Sequence, residues 1–174
     1  MIFIGIDPGL MGAVAVIGFE SGIFSVFDTP VLVIKKGKGF RREYDVPGMV
    51  KILQSLPTFP ESVHSTLESI HAMPGQGVTS MYSIGVGMGL WRGILTALKI
   101  PHDLVTPQRW KKAMMDGMGK EKDASRLRAS QLFPLVDLSS KKDHGRAEAL
   151  LLAEYGRRMK DGQLDGISLT TKSP

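Results

Sequence analysis

Three short β-prone runs fill the first 28 residues before any helical period begins. Ile2 to Asp7, Ala13 to Ile17 and Ile23 to Asp28 are separated only by Pro8-Gly9 and by Glu20-Ser21-Gly22, which are turn signals suited to tight connections. Strands joined so closely pair antiparallel, so the chain is expected to open as a three-stranded meander. The pattern then alternates. Asp45 is a candidate cap for a helix over about Val46 to Leu56, and Val63 to Glu68 reads as a buried strand. A helix over Ser80 to Leu98 and a short strand over His102 to Thr106 follow. Pro107 starts a helix over Gln108 to Met115, and two more run over Asp123 to Leu132 and His144 to Lys160. Lys35 to Arg42 is read as a basic loop and Asp116 to Lys122 as a flexible one. Strands first and interleaved strands and helices afterwards argue for an α/β or α+β layered domain, expected here as an α/β fold with a mixed five-stranded sheet flanked by helices.

The chain has 174 residues, which suits a single domain over 1–174 with a loosely held tail from about 163. It lacks cysteine, which excludes disulfides, thiolate metal sites and a cysteine nucleophile; any metal must sit on oxygen or imidazole. Lys and Arg outnumber Asp and Glu by 22 to 17, and the sequence pI is about 9.5, a balance that favours a polyanionic partner. The opening has no basic flank, and no stretch approaches the roughly 20 apolar residues of a spanning helix. A membrane role is therefore not expected. The expected location is intracellular, in cytoplasm, nucleoid or a phage-infected host, or an organelle if a transit peptide has been removed.

The chemistry is carried by three segments. In Ile4-Gly5-Ile6-Asp7-Pro8-Gly9 a buried strand delivers one carboxylate into a tight turn, where a charge is costly unless it is paired or bound to a metal. Glu68 repeats the arrangement at the end of the Val63 to Leu67 run, and two such carboxylates at one sheet edge repel unless a cation lies between them. Lys142-Asp143-His144-Gly145-Arg146-Ala147-Glu148 places acids and an imidazole at the start of an apolar helix. His144 and Glu148 share a face, whereas Asp143 and Glu148 diverge by about 140°, so Asp143 reaches such a site only from a cap position. Each segment also has a plain structural reading, as a turn, a strand end and a helix cap.

In this order, strand-Asp-Pro-Gly, strand-Glu and a C-terminal acidic helix resemble the RuvC-type Holliday junction resolvases across nearly the whole chain. The plant chloroplast branch is the most similar, through Lys122 to Arg126, Leu132-Phe133-Pro134 and Asp143 to Leu151. The resemblance implies a ribonuclease-H-like fold, a homodimer acting on branched DNA, and a site where acidic or imidazole groups hold two Mg²⁺ or Mn²⁺ ions. It assigns Asp7, Glu68 and Glu148 as metal carboxylates. The bacterial branch usually has an Asp or His three residues before the last carboxylate, where this chain has Gly145, so the fourth ligand falls to His144 or Asp143, with His144 preferred. Lys122 matches the family's basic residue near the scissile phosphate, with Lys120 as the alternative.

The chemistry implied is in-line attack of water on a phosphodiester, yielding paired symmetric nicks in a four-way junction. Oxygen-rich ligands suit Mg²⁺ or Mn²⁺. Lys35, Lys36, Lys38, Arg41 and Arg42, with Arg109, Lys111, Lys112, Arg126 and Arg128, are candidate phosphate contacts. Met73, Gln76 and Tyr82, in or beside the Gly-Pro loop after Glu68, are candidate base contacts. Three other readings share these features: a branched-DNA-binding module without catalysis, a related ribonuclease-H-like nuclease on another nucleic acid, and an actin-like ATP-binding fold. The last usually needs two domains and a second phosphate loop, for which this chain is too short.

Overall fold

The computed structural model describes residues 1–18, 23–56, 62–71, 75–119, 121 and 123–164. Five strands form the main sheet: β1 (Ile2–Ile6), β2 (Ala13–Gly18), β3 (Ile23–Asp28), β6 (Val63–Glu68) and β7 (His102–Val105), in the order β3-β2-β1-β6-β7. The first three pair antiparallel, and β6 and β7 add in parallel. This is the mixed sheet the sequence predicts.

Both faces of β1 are buried, and its period-two alternation divides the core. Ile2, Ile4 and Ile6 join Met49, Leu53, Trp91 and Leu95 under α1 (Val46–Gln54) and α2 (Val78–Ala97). Phe3 points the other way, into a cluster with Trp110, Met114, Ala129 and Leu150. That cluster is covered by α3 (Pro107–Met114), α4 (Ala124–Leu132) and α5 (His144–Lys160). Expected helix boundaries hold to within about two residues. The Asp45 carboxylate caps α1 by accepting from the Gly48 N–H at 3.1 Å. Leu164 packs against the core; the rest of the expected tail, 165–174, lies outside the described residues.

Lys35 to Arg42 is not a loop. Residues Val31–Lys36 (β4) and Gly39–Tyr44 (β5) pair antiparallel as a separate two-stranded sheet. The basic side chains hid this because an exposed hairpin has no buried face to impose an apolar alternation. Its two-residue turn starts at Gly37, φ 59°, where hairpin geometry calls for positive φ.

Helix α5 lies against the sheet at backbone distance. A Cβ on Gly5 would collide with the Ala149 carbonyl and the Ala153 backbone, and one on Gly156 with the Thr66 side chain. Ala147, Ala149 and Ala153 keep this helix face shallow, and every residue from Ala147 to Gly156 is buried. The contact sits under β1, so it fixes where the N-terminus of α5 meets the turn after β1. Gly5→Ala is expected to lift the helix and cost about 3 kcal/mol, measured as a drop in urea midpoint with little change in slope.

Candidate metal centre

Asp7 follows β1 directly. Its backbone N–H donates to the Ala13 carbonyl at 3.0 Å, and its Oδ1 accepts from the Gly9 N–H at 3.3 Å. Gly12 closes the turn so tightly that a Cβ there would stand 2.9 Å from the Asp7 Cγ. Glu68 ends β6, which runs parallel to β1 with Ile6 opposite Leu67. The two carboxylates therefore follow at matching positions, each one residue past that pair, at the same sheet edge on strands spaced roughly 4.8 Å apart. Glu148 arrives from α5, one helical turn after His144.

The electrostatics show that these groups share one environment. Burial, then the charges of Glu68 and Glu148, push the Asp7 carboxyl up to about 7, against a smaller lowering by the Gly9 N–H and His144. Burial also raises Glu68; Glu148 adds to the rise, while the Trp110 indole opposes it. Burial would raise Glu148 too, but hydrogen bonds and charge from His144 and Lys111 outweigh it and hold that carboxyl below its ordinary range. His144 is raised, first by its hydrogen bond to Glu148 and further by the charges of Glu148 and Asp7, against the opposing effects of burial and Lys111.

Three contacts in this cluster escaped the sequence. Trp110, fully buried, donates its indole N–H to Glu68 Oε1 at 2.8 Å. Lys111 Nζ stands 2.7 Å from Glu148 Oε1, although the sequence suggested only a phosphate contact for it. Ser125 Oγ lies 3.4 Å from the same oxygen. The pattern Trp110-Lys111 beside Pro107 gave no sign that α3 points at the carboxylates. His144 Nε2 is 3.4 Å from Glu148 Oε1.

Asp143 faces elsewhere. It ends a single 3-10 turn, Lys141–Asp143, and its Oδ2 accepts from the Ser140 N–H at 2.9 Å in a capping box. Its other oxygen lies 3.9 Å from Arg146. Gly145 is buried, and a Cβ there would collide with the Met11 carbonyl and the Gly12 backbone. Nothing larger than glycine fits there, which is the physical reason that this position carries neither an acid nor an imidazole.

Other expected site residues scatter. Lys35, Lys36, Lys38, Arg41 and Arg42 are all exposed on the β4–β5 hairpin, and Lys112, Gln76 and Tyr82 are exposed too. Arg126 is mostly buried and occupied by the protein itself: it pairs with Asp123 and donates to the carbonyls of Leu138, Ser139 and Ser140. That clamp corrects its reading as a phosphate contact. Arg128 likewise donates to the Met114 carbonyl at 3.0 Å. Met73, Lys120 and Lys122 lie outside the described residues.

Among the described residues, no three acidic or imidazole groups converge closely enough to hold an ion as they stand. Glu68 is held by Trp110, and Glu148 by Lys111 and His144. The donor set nonetheless fits a hard divalent cation: three carboxylates from separate elements plus an imidazole, with the raised Asp7 and Glu68 lacking the positive charge such an ion brings.

Comparison with solved structures decides the architecture. The RuvC of Thermus thermophilus in complex with a Holliday junction substrate superposes with a TM-score of 0.55 at 15% identity, over 91% of this chain and 96% of that one. A second structure of Thermus thermophilus RuvC gives 0.54 at 17%, over 92% and 97%. The fold is that of RuvC, ribonuclease-H-like. A sequence relative, the chloroplastic Holliday junction resolvase MOC1 of Chlamydomonas reinhardtii, is 35% identical over 98 residues. The match takes in 55% of this chain and only 11% of that relative's length. The sequence match is thus to a chloroplastic resolvase of the RuvC type, and the fold match is to RuvC. No family model matches the chain.

The raised Asp7 carboxyl has a direct thermodynamic consequence. With about 7 in the fold and 3.8 as the ordinary value, the folded state holds the extra proton, so Asp7 costs nothing below about pH 4 and progressively destabilises the metal-free fold as pH rises to about 7. Asp7→Asn keeps an oxygen for the Gly9 N–H and removes the charge. It is expected to raise the metal-free melting temperature by a few degrees at pH 8, with the difference vanishing near pH 3.5 in calorimetry.

Proposed function

We propose that this chain is a divalent-metal-dependent endonuclease that resolves four-way DNA junctions as a homodimer, its described residues belonging to one nuclease domain. The observation that carries this reading is the placement of Asp7 and Glu68 at the ends of adjacent parallel strands, with His144 and Glu148 paired on α5 near enough to perturb Asp7, on a RuvC fold. The names of the relatives support the substrate: one structure holds a Holliday junction, and the curated relative resolves such junctions.

In this reading Asp7, Glu68 and Glu148 with His144 hold two Mg²⁺ or Mn²⁺ ions, and Asp143 serves only as a cap. When bound, such a pair activates water and stabilises the leaving oxygen in an in-line displacement. The protein's own groups do the rest. Trp110 orients Glu68 through its indole N–H. Lys111, half-exposed, is a positive charge at the site's rim, able to exchange Glu148 for a substrate phosphoryl oxygen. Lys122 remains a candidate for the scissile phosphate on the resemblance alone. The hairpin lysines and arginines follow the flanking backbone.

Two-fold symmetry in the enzyme matches paired cuts. Helix α2 offers a surface for it: Gly85, Gly89 and Gly93 are exposed four residues apart, with open space where each Cβ would stand, so a second backbone can come close. No helix among the described residues is long and apolar enough to cross a membrane. The compartment proposed is one that holds DNA inside a cell, an organelle included.

Purified protein incubated with a synthetic four-way junction, a linear duplex and an RNA–DNA hybrid tests the reading. Symmetric nicks in the junction alone are expected, abolished by EDTA and reduced by at least about a thousand-fold in Glu148→Gln. Because cation binding must displace the proton on Asp7, cutting at limiting Mg²⁺ should fall as pH drops below about 7. Junction binding without cutting in either Mg²⁺ or Mn²⁺ would favour a binding module instead.

A further inference from the structure

Consecutive residues of α3 grip the two glutamates of the candidate centre. The Trp110 indole N–H donates to Glu68 Oε1 at 2.8 Å. Lys111 follows it, its Nζ 2.7 Å from Glu148 Oε1 and 5.1 Å from the centroid of the Trp110 ring. The closest approaches of His144 and Ser125 to Glu148, both at 3.4 Å, are to Oε1 as well. The protein therefore engages each glutamate through one oxygen.

The two grips differ in permanence. Lys111 and His144 are half-exposed and can turn away from Glu148. Trp110 cannot turn: it is fully buried in the cluster that contains Phe3, Met114, Ala129 and Leu150, and an indole has one donor and no acceptor. Glu68 is no freer. It pairs with Val105 of β7, and the next N–H, that of Ser69, donates to the Val105 carbonyl at 2.8 Å. With its backbone fixed and one oxygen tied, only the second oxygen of Glu68 can turn toward a ligand. The core does not demand this bond for an indole. Trp91, equally buried on the other face of the sheet, has no partner for its N–H among the described residues.

We propose that Trp110 sets the cation selectivity of the centre: by holding one oxygen of Glu68 it confines that carboxylate to ligation through the other, which favours Mg²⁺ and Mn²⁺ over Ca²⁺. It rests on the reading of Asp7, Glu68, His144 and Glu148 as a metal centre. A carboxylate that chelates with both oxygens closes a four-membered ring, whose angle at the ion is too acute for the near-ideal octahedron of Mg²⁺. Ca²⁺ is larger, takes roughly six to eight oxygens in flexible geometry and accepts such chelation; Mn²⁺ shares the octahedral preference. Chelation by Glu68 would require breaking or bending a buried, charge-assisted hydrogen bond, a stronger bond than one between neutral groups. That cost falls on Ca²⁺ and spares the smaller ions. Trp110 touches neither cation nor substrate and is a positioning residue.

Cation affinity of the full metal-free chain is read without DNA, from the rise in melting temperature with Mg²⁺, Mn²⁺ or Ca²⁺ concentration, at pH 8, above the Asp7 value of about 7. Trp110→Phe keeps an aromatic ring in the core and removes the N–H. It is expected to shift the ratio of Ca²⁺ to Mg²⁺ affinity toward Ca²⁺ by roughly ten-fold or more, the scale of one hydrogen bond to a charged group. Trp91→Phe makes the same truncation without losing a hydrogen bond and should leave the ratio within about two-fold. A second measurement needs no variant at position 110 to fold. The Trp110 indole proton, identified in a ¹⁵N NMR spectrum as the one that survives Trp91→Phe, should keep its hydrogen-bonded, downfield position when Mg²⁺ saturates the protein. An unchanged ratio in Trp110→Phe, an equal shift in Trp91→Phe, or loss of the downfield indole proton on adding Mg²⁺ overturns the proposal and leaves the metal centre standing. A wild-type chain that binds no divalent cation overturns both. A shifted ratio in a chain that binds cations but never cuts DNA upholds the role of Trp110 while removing the nuclease reading.

Discussion

The close approach of α5 to the sheet is the contact on which the rest of the structure depends. Gly5 lets the helix backbone reach β1, Gly156 makes room for Thr66, and Gly145 lets the first turn of the helix sit on the Met11-Gly12 backbone. An ordinary helix packs against a neighbour at the distance its side chains set. Here the side chains are missing at the contact points, and the helix start is drawn into the turn that carries Asp7. His144 and Glu148, four apart on one helix face, are thereby delivered to the carboxylates at the ends of β1 and β6. The same closeness forbids a side chain at position 145, so an imidazole one residue earlier takes the place beside Glu148.

Bringing three carboxylates together at the edge of a core sets up an electrostatic conflict that the metal-free protein resolves locally. Asp7 rises to about 7, which spares the fold one charge near neutrality. Glu148 stays ionised because Lys111 and His144 lie against it, and Glu68 accepts a buried indole N–H. Each of these contacts neutralises one carboxylate, whereas in the proposed reading one divalent ion between them would neutralise several at once. Functional sites commonly sacrifice stability in this way, and under the proposed function the destabilisation falls on the residues that would hold the cation.

Charge outside the centre is not distributed by count. Of the basic residues that the sequence offers as DNA contacts, Arg126 clamps three carbonyls and Arg128 a fourth, Arg41 meets Glu43, and Lys111 turns inward to Glu148. What remains turned outward is concentrated on the hairpin and is rooted, through Tyr44, on the residue next to Asp7.

Much of this architecture was legible in the chain. The three opening runs and their turns dictated an antiparallel meander, and the apolar runs ending in Asp7 and Glu68 placed two carboxylates at strand ends, because β periodicity and turn chemistry are local properties. The spacing of His144 and Glu148 fixed a shared helix face for the same reason. The hairpin was missed because its strands are solvated and carry no core-facing period, and Trp110, Lys111 and Ser125 were missed because nothing local marks a side chain that reaches across the fold. Only the tertiary structure decided where His144 and Asp143 point, since both sit at the same helix start: what the helix meets in space set His144 beside Glu148 and Asp143 in a capping box.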